Sequence, residues 1–485
     1  MNHGSSDRIA NELRRWIEEA PPGTRLPSTR SLVAQHGASP VTVQKALRSL
    51  AAQGLVESRP GAGTFVRPVR RARPHDYGWQ TTALGAAASG IAAQRPPEQA
   101  DSAPHASAAS SALRSAPAEA VALHAGYPDR ELLPERLVRA ALVRASRGEA
   151  AVSRPPSAGL PELRAWFASE LGTAVPSGLT PPAASDAVVL PGSQSGLSAV
   201  FRALAGTGGP VLIESPTYWG AILAAQQTGV RLIPIAGGPH GPDPEELDRA
   251  LARTGARVLY AQPSFANPTG ALWSTDLAER VLKIVRRHRA FLVEDDWARD
   301  FAVSAETSPL AARDDAGHVV YLRSLTKSVS PAVRVAGLIA RGPARERIAA
   351  EAEAQSMYVS GVLQAAALDV VTQPGWRTHL GGVRRQLAER RDLLVGALRE
   401  HVPSAHLALV PHGGLNLWLQ LPEAVDLHRL IRDCEERGVL LAGGDAWFPQ
   451  EPAGRFLRLN YAGPNPGAFP EAARVLGRAL EDQLG

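Results

Sequence analysis

The sequence predicts a multi-domain protein in which a small helical unit with a β-hairpin precedes a larger α/β domain. Two observations support this prediction. Apolar residues recur at helical spacing in the first fifty residues, and beyond residue 120 apolar strand-like runs alternate with helical segments. Such alternation is typical of a mostly parallel sheet with both faces covered. The chain of 485 residues has room for about two to four domains.

The positive charge is concentrated at the N-terminus. Residues 1–75 carry 12 Lys and Arg against 5 Asp and Glu, whereas the remainder carries 40 against 42. A small basic unit attached to a nearly neutral domain indicates nucleic acid as the partner of the first and a small ligand for the second.

Cysteine content and hydropathy indicate the compartment. The lone cysteine, Cys434, excludes an internal disulfide and fits a reducing cytoplasm. The chain shows neither the pattern of a secretory signal nor a run of about eighteen apolar residues. We therefore expect a cytoplasmic protein that does not span a membrane.

Residues 5–67 form the small unit, and their periodicity predicts three helices. The first spans residues 7–20 and has one apolar face, formed by Ile9, Leu13, Trp16 and Ile17. The second begins near Ser28, and the third follows Ser39. A Ser hydroxyl is suited to both places because it accepts a hydrogen bond from the N–H groups of a first helical turn.

Two short strands, residues 55–57 and 64–66, come next and are joined by a Gly-rich turn. Three helices and a hairpin in this order make a winged helix-turn-helix pattern, in which the third helix enters the major groove of DNA. The candidate DNA-binding residues are Ser28, Arg30, Ser39, Thr42, Gln44, Lys45, Arg48, Arg59, Gly61, Gly63 and Thr64. A winged helix that binds protein is the alternative, and the local positive charge favours double-stranded DNA.

Three segments of this unit resemble the winged-helix module of GntR-type regulators: Gly23–Arg30, Thr42–Val43 and Gly54–Val66. Their order and spacing agree with the family, as do the glycines of the hairpin. The family usually has Arg where Pro40 stands. The resemblance therefore implies a double-stranded DNA operator as partner, with one basic contact fewer and a different operator preference.

Residues 68–120 differ in composition from both flanking regions. They are rich in Arg, Pro, Ala and Ser, and residues 86–120 contain no aromatic residue. Such a composition buries too little apolar surface to fold by itself, so we expect a flexible linker. An Ala-rich helix over part of this stretch is the alternative.

The larger domain covers residues 121–485. Its predicted strands are 187–190, 211–214, 231–235, 257–261, 291–294, 319–322 and 335–340. From about residue 380 onward the pattern predicts a smaller α/β subdomain.

Lys327 is one of three lysines, with Lys45 and Lys283, in a chain that has 49 arginines. A lysine amine can lose its proton and attack a carbonyl carbon, whereas a guanidinium stays protonated. Lys327 follows a predicted strand, and strand ends are where α/β folds place reactive groups. Lys283 lies in a charged helical run, so we expect it on a solvated face.

Other predicted strands also end in polar or aromatic side chains, namely Ser193, Gln194, Tyr218, Asn267 and Asp295. The turn with the Ser and Gln begins a helix, whose first N–H groups can hold a phosphate. The Tyr offers an aromatic face, the Asn can donate to a phenolate oxygen, and the Asp can pair with a pyridinium nitrogen. Arg334, seven residues after Lys327, is a natural phosphate partner.

In this order the motifs resemble fold-type I pyridoxal-phosphate aminotransferases. The likeness covers nearly all of residues 121–485. It also includes Gly126–Asp129, Gly159–Arg164, Gly413–Trp418 and Arg455–Leu459. The resemblance implies an α/β fold with a small C-terminal subdomain, and pyridoxal 5'-phosphate as cofactor.

The resemblance also implies a role for each matched residue. Lys327 would be the catalytic residue that forms the Schiff base, Asp295 would hold the pyridine nitrogen, and Asn267 would bond the ring oxygen. Tyr218 would stack on the ring, and Arg458 would bind the α-carboxylate of an amino acid. The phosphate would be held by Ser193, Gln194, Ser324, Thr326 and Arg334.

A winged helix, a linker and an aminotransferase-like domain together resemble the MocR/GabR subfamily of GntR regulators. The resemblance implies a regulator in which an amino acid or amine effector exchanges with Lys327 on the cofactor and changes the placement of two winged helices. Members generally pair head to tail as homodimers. A working aminotransferase with an accessory DNA-binding domain is the alternative, and a DNA-binding protein with an inactive large domain is a third.

Two positions depart from the family pattern. Trp297 stands where the subfamily usually has a Tyr whose hydroxyl bonds the ring oxygen of the cofactor, and an indole N–H is a donor only. Arg154 stands where the family usually has a Tyr that reaches the phosphate in the partner subunit. Both changes bear on efficient transamination more than on cofactor binding.

Overall fold

A computed structural model of the chain describes residues 5–52, 55–59, 62–66, 114, 116–117 and 119–485. The chain divides into two compact units, Met1–Asp101 and Ser102–Gly485. Most of the predicted linker, residues 68–113, lies outside the described residues, as does Gly61. No helix within the described ranges is long and apolar enough to cross a membrane.

The N-terminal unit has the three helices and the hairpin that the sequence predicts. These elements are α1 (Ser5–Glu19), α2 (Thr29–His36), α3 (Pro40–Ala52), β1 (Val56–Arg59) and β2 (Gly63–Val66), and the two strands pair antiparallel. Both predicted caps are present. Ser28 Oγ accepts from the Ser31 N–H at 3.1 Å. Ser39 Oγ accepts from the Thr42 N–H at 3.2 Å, which satisfies a donor that the helix itself leaves unpaired.

Apolar residues from all these elements form the core of this unit, among them Ile9, Leu13, Leu32, Val43, Leu50 and Val66. Of the four residues on the predicted apolar face of α1, Ile9, Leu13 and Ile17 are buried, whereas Trp16 is 38% exposed. At about 100° per residue, the buried stripe of α1 is centred between Ile9 and Ala10, and Trp16 falls at its margin.

The main sheet of the large unit contains all seven strands that the sequence predicts. Its strands are β4 (Ala187–Leu190), β5 (Pro210–Ser215), β6 (Arg231–Gly238), β7 (Gly241–Pro242), β8 (Val258–Ala261), β9 (Phe291–Asp296), β10 (Val319–Ser324) and β11 (Ala336–Ile339). They are ordered β4-β11-β10-β9-β8-β5-β6-β7. The sheet is mostly parallel, as predicted, but β7 and β11 run antiparallel to their neighbours. The short strand β3 (Val121–Ala122) lies outside this sheet and belongs to a separate two-stranded sheet.

Helices cover both faces of the main sheet. They are α4 (Glu135–Arg147), α5 (Pro161–Gly172), α6 (Ser193–Leu204), α7 (Trp219–Thr228), α8 (Pro244–Thr254), α9 (Thr275–Arg287), α10 (Gly342–Ser356) and α11 (Gly361–Thr372). Along β8, Val258 and Tyr260 belong to the core on the side of α6 and α7. Leu259 and Ala261 belong to the core on the side of α8 and α9. Because successive side chains of a strand point to opposite faces, both sides of the sheet are buried.

The C-terminal part of the chain contains a second sheet. Its elements are α12 (Pro374–His401), β12 (Asn416–Leu421), α13 (Leu427–Glu436), β13 (Val439–Leu440), β14 (Ala442–Gly443), β15 (Arg455–Asn460) and α14 (Phe469–Leu484). The sheet is ordered β12-β15-β14, and β13 pairs with β3 in parallel. The predicted subdomain boundary near residue 380 falls inside α12, so a continuous helix crosses it. Through the β3–β13 pair, the first segment of the large unit packs on this C-terminal part.

Candidate functional site

The predicted site residues of the large unit converge at the edge of the main sheet where β4, β5, β8, β9 and β10 end. A pocket of about 460 Å³ opens there. Its walls are formed by Tyr127, Ser193, Gln194, Tyr218, Gln262, Asn267, Asp295, Trp297, Ser324, Thr326, Lys327 and Arg334. All nine residues that the sequence predicts for cofactor binding therefore line one cavity, at the edge where open α/β sheets bind ligands.

Lys327 follows β10 and faces two aromatic rings. Its Nζ atom lies 4.0 Å from the centre of the Trp297 ring and 6.0 Å from the centre of the Tyr127 ring. Burial lowers the pKa of the Lys327 amine to about 7, the charge of Arg458 acts in the same direction, and Asp295 opposes both. A substantial fraction of the amine is therefore neutral near pH 7, as a nucleophile requires.

Asp295, at the end of β9, is buried and held by two donors. Tyr260 OH donates to its Oδ2 at 2.8 Å, and Gln262 Nε2 donates to the same oxygen at 2.9 Å. Burial raises the pKa of Asp295 to about 6, and these hydrogen bonds oppose the rise. The side chain is therefore mainly a carboxylate at neutral pH. Its other oxygen, Oδ1, is buried and has no partner within the described part of the chain.

Tyr260 and Gln262 were not predicted from the sequence. The signal that could have found them is the parallel pairing of β8 with β9, which places Ala261 opposite Glu294 and so brings the next residues, Gln262 and Asp295, together. Gln262 also joins Asn267 to this group, because its Oε1 accepts from the Asn267 N–H at 2.8 Å.

A cradle for an anion lies where α6 begins at Ser193. Gly192, just before it, has φ +92°, and a Cβ atom there would lie 3.0 Å from Arg334 Nη2. The N–H groups of the first turn of α6 and this guanidinium together suit a phosphate. Thr326 Oγ1 is buried and lacks a partner among the described residues, and Ser324 Oγ accepts from the Thr326 N–H at 3.2 Å.

The side chain of Gln194 holds the pocket wall together. Its Nε2 donates to Gly220 O at 2.7 Å, and its Oε1 accepts from Tyr218 OH at 3.3 Å. Because the side-chain amide is engaged within the protein, the backbone N–H of Gln194 is the better candidate for holding an anion. Burial raises the pKa of Tyr218, so its phenol stays protonated at neutral pH.

Trp297 presents its ring face to Lys327. The indole N–H donates to the backbone oxygen of Phe265 at 3.1 Å. This is the one polar hydrogen of an indole side chain. The hydroxyl that the subfamily usually supplies at this position therefore has no counterpart here.

Arg458 lies on β15 and is 1% exposed. Its Nη2 donates to His124 O at 2.6 Å and to Ala125 O at 3.1 Å, and its Nη1 donates to Asn416 Oδ1 at 3.3 Å. The guanidinium also stacks over the Trp447 ring, 4.9 Å from its centre. Burial lowers the pKa of Arg458 to about 10, which leaves it charged at neutral pH. Arg458 adjoins the pocket without lining it.

In the N-terminal unit, the predicted DNA-binding residues of the helices lie on α2, on α3 and at their caps. Arg30 and Gln44 are exposed. The hydroxyls of Ser39 and Thr42, at the start of α3, bond each other at 2.8 Å. The side chains of Lys45 and Arg48, which α3 also carries, lie outside the described residues.

Arg59 contacts two other residues of the hairpin. Its Nε donates to Glu57 Oε1 at 2.9 Å, and its guanidinium lies 4.9 Å from the centre of the Phe65 ring. The carboxylate of Glu57 therefore occupies part of a guanidinium that could contact a DNA phosphate.

Gly63 and Thr64 begin the second strand of the hairpin. Gly63 has φ +117°, a backbone conformation that favours glycine, and a Cβ atom there would lie 2.8 Å from Arg25 Nε. Thr64 Oγ1 and Ser58 Oγ lie 3.2 Å apart across the strand pair. Arg25 was not among the predicted DNA-binding residues, although it lies in the segment Gly23–Arg30 that resembles GntR-type regulators.

The pocket offers the groups that pyridoxal 5'-phosphate requires. Asp295 Oδ1 and Thr326 Oγ1 are buried polar atoms without partners in the described structure, and they suit the pyridine nitrogen and the phosphate. The cradle of Gly192 and Arg334 suits the phosphate, and the Lys327 amine suits the aldehyde. When bound, the cofactor supplies an electrophilic carbon at which primary amines condense.

Comparison with known proteins assigns both units. Residues 5–66 match the gntR family of bacterial regulatory proteins, and residues 119–476 match the class I and II aminotransferases. The chain is 27% identical to the probable rhizopine catabolism regulatory protein MocR of Rhizobium meliloti, over 94% of this chain and 89% of that protein. The chain belongs to the MocR-type subfamily of GntR transcriptional regulators. This MocR-type regulator is thus a DNA-binding protein, as the sequence predicts.

The large unit of this MocR-type regulator is also similar to enzymes. It is 31% identical to the 2-aminoadipate transaminase of Thermus thermophilus, over 74% of this chain and 89% of that enzyme. The crystal structure of LysN from the same organism, complexed with N-(5'-phosphopyridoxyl)-L-leucine, superimposes with a TM-score of 0.70 at 29% identity and covers 78% of this chain and 97% of that one. The predicted fold-type I architecture and the predicted cofactor, pyridoxal phosphate, are confirmed.

Proposed function

We propose that this MocR-type regulator senses an amino acid or an amine at Lys327 and couples its binding to DNA recognition. One arrangement carries the proposal: the Lys327 amine, with a pKa near 7, shares a cavity with Asp295 and Arg334, and Arg458 adjoins it. The amine of an effector would compete with Lys327 for the aldehyde carbon of the cofactor. Arg458 would bind the carboxylate of an amino acid effector.

The roles of the lining residues follow from their contacts. We assign Asp295 Oδ1 to the pyridine nitrogen, Asn267 to the ring oxygen and the Tyr218 ring to stacking. The phosphate is assigned to the start of α6 and to the cradle around it, with Ser193, Gln194, Ser324, Thr326 and Arg334 as partners. For Gln194 the contact is assigned to its backbone N–H, because its side chain is already bonded to the pocket wall.

The transmission to DNA is a shift between two arrangements of the protein. An effector changes operator affinity to the extent that it binds one arrangement better than the other. We propose that the chain is organised as a winged helix over 5–67, a linker over 68–120 and a sensing domain over 121–485, and that two chains pair head to tail in a cytoplasmic homodimer. Two winged helices in one dimer suit an operator with two half-sites.

A titration followed by absorbance tests the proposal. The purified, cofactor-loaded protein is titrated with a panel of L-amino acids and matching primary amines, and operator binding is measured in the same samples. We expect the cofactor spectrum and the operator affinity to change together over the same concentration range. A protein whose spectrum responds to no member of the panel, or responds while operator affinity stays constant, contradicts the proposal.

The second candidate function is catalytic transamination. It is favoured by the similarity to the 2-aminoadipate transaminase and by the presence of Lys327, Asp295 and Arg458. Incubation with an amino acid and a keto acid acceptor distinguishes the two. Sustained formation of the new amino acid indicates an enzyme, whereas a spectral change that stops after one equivalent indicates a sensor.

A further inference from the structure

The first segment of the large unit leads from the predicted linker to the effector site. Arg114, which lies near the end of the predicted linker over residues 68–120, forms an ion pair of 3.0 Å with Glu435. The segment then pairs through β3 with β13 and reaches Gly126, where a Cβ atom would lie 3.5 Å from Arg458 Nη1. A short stretch of chain therefore touches both the end of the linker and the residue proposed to bind the effector.

The side chain of His124, close to the Gly126 end of this stretch, holds the end of the linker. It is 1% exposed, and its Nε2 lies 2.8 Å from the backbone oxygen of Arg114. Because a carbonyl oxygen can only accept, Nε2 carries the proton and donates. Burial lowers the pKa of His124 although this hydrogen bond opposes the shift, so the ring is neutral at pH 7. Its Nδ1 is then an acceptor, buried and without a partner in the part of the chain that is described.

The main chain of the same residue holds Arg458. The His124 carbonyl oxygen accepts from Arg458 Nη2 at 2.6 Å, the shortest of the contacts to this guanidinium, and Ala125 O and Asn416 Oδ1 complete its support. Arg458 Nε is buried and has no partner among the described residues. The position of the guanidinium therefore depends on where the carbonyl of His124 lies.

We propose that His124 couples the effector site to the linker, with its ring holding Arg114 and its carbonyl positioning Arg458. This inference rests on the proposed function, in which Arg458 meets the carboxylate of the effector. His124 is a positioning residue and does not touch the effector. A carboxylate that draws the guanidinium shifts the carbonyl of His124 and weakens or strengthens the hold of its ring on Arg114. By linkage, if the bound amino acid changes the equilibrium between held and released Arg114 by some factor, its affinities for the held and released states differ by that same factor.

The coupling distinguishes two classes of effector. An amino acid engages Arg458 through its carboxylate, so its affinity depends on the state of the linker end. The matching amine without the carboxylate would compete with Lys327 for the aldehyde carbon but would not engage Arg458, so its affinity does not depend on the linker end.

The test uses charge reversal at exposed positions in the full-length, cofactor-loaded protein. Arg114→Glu sets two carboxylates against each other at Glu435. Arg437→Glu is the matched control, because Arg437 forms a similarly exposed ion pair of 2.9 Å with Asp482 nearby. We expect Arg114→Glu to change the affinity for an amino acid by roughly threefold to tenfold, the effect of about one hydrogen bond. It should also reduce the effector-dependent change in operator affinity, and Arg437→Glu should do neither.

A second pair of variants tests His124 itself. His124→Gln keeps an N–H donor near the position of Nε2 and should behave as the native protein does, whereas His124→Phe removes the donor and should behave as Arg114→Glu does. Equal amino acid affinities in Arg114→Glu and Arg437→Glu, or equal behaviour of the Gln and Phe variants, overturns the coupling alone. An unresponsive native protein overturns the proposed function and the coupling together.

Discussion

The Nζ atom of Lys327 lies 4.0 Å from the centre of the Trp297 ring, whose N–H is bonded to the backbone oxygen of Phe265. The ring face therefore meets the amine. An aromatic face stabilises a charged amine by roughly 0.5–2 kcal/mol, which opposes the effect of burial on the Lys327 pKa. In this chain, the side chain at position 297 stabilises the charged form of Lys327 and offers no hydroxyl to the cofactor.

This contact predicts a pH dependence. The cofactor-free protein should take up pyridoxal phosphate at a rate that rises as pH passes through about 7, because the neutral amine of Lys327 is the nucleophile. Trp297→Leu removes the stabilisation of the charged form, so the midpoint should move to lower pH by roughly half a unit to one unit. Stopped-flow absorbance over a pH series measures this shift. A midpoint that stays or rises contradicts the role of the ring.

Lys327 is expected to be the attachment point of the cofactor. Lys327→Arg keeps a positive charge but removes the nucleophile, so borohydride reduction should trap essentially no cofactor. Mass spectrometry of the reduced protein measures the attachment. Lys283→Arg is the control, since Lys283 is exposed on α9, and it should be labelled like the native protein. Equal labelling of both variants would place the attachment elsewhere.

Arg458→Lys should separate amino acids from amines. The variant loses a bidentate, charge-assisted contact, so affinity for an amino acid should fall by roughly tenfold to a hundredfold, and affinity for the matching amine should change little. Loss of the contacts to His124 O and Ala125 O should also cost about 1–3 kcal/mol of stability. Absorbance titrations and thermal unfolding measure the two effects. An equal loss for both ligands would make Arg458 a purely structural residue.

Glu57→Gln should strengthen DNA binding. Glu57 engages Arg59 in the hairpin, so its neutral analogue weakens the hold on the guanidinium and removes a negative charge from beside it. Operator affinity should rise roughly twofold to fivefold at low salt, and the gain should shrink as salt increases. Arg59→Ala should weaken binding and reduce the slope of its salt dependence by about one. Weaker binding by Glu57→Gln would show that the ion pair is needed to shape the hairpin.

Val41 should read a thymine methyl group. It is 71% exposed in the first turn of α3, and an exposed apolar side chain on a helix in the major groove is matched by that methyl. At one operator position, replacing thymine with uracil should weaken the native protein roughly fivefold and should not affect Val41→Ala. Gel-shift titrations measure both. Val152→Ala, another exposed valine but in the large unit, should retain the sensitivity to uracil. If no thymine shows this pattern, Val41 is not a base contact.

Much of the fold could be predicted because buried strands are continuous apolar runs bounded by turns. All seven predicted strands of the main sheet are present. The strand β7, with two residues, is too short for any periodicity to register. The reversed direction of β11 was not predicted either, since an apolar run carries no information about the direction in which it is laid into a sheet.

The candidate site, like the fold, could be predicted from the sequence only in part. Residues such as Asp295 could be predicted because a polar side chain that ends an apolar strand is conspicuous in the sequence. Gln262 was missed because its contact with Asp295 arises from the register between two strands. The bond between Arg458 and His124 joins residues separated by 334 positions, and only the packed structure brings them together.

The reversal of β11 decides where the phosphate cradle can form. Its first residue, Ala336, lies between Leu190 at the end of β4 and Ser324 at the end of β10. The chain entering β11 therefore delivers Arg334 to the edge that its two neighbours reach as they leave the sheet. Had β11 run parallel to them, its entry would lie about 10 Å away, at the far edge of the four-residue strand. One inverted strand thus places Arg334 beside the turn that follows β4 and the turn that follows β10, and the three form adjacent walls of a single anion pocket.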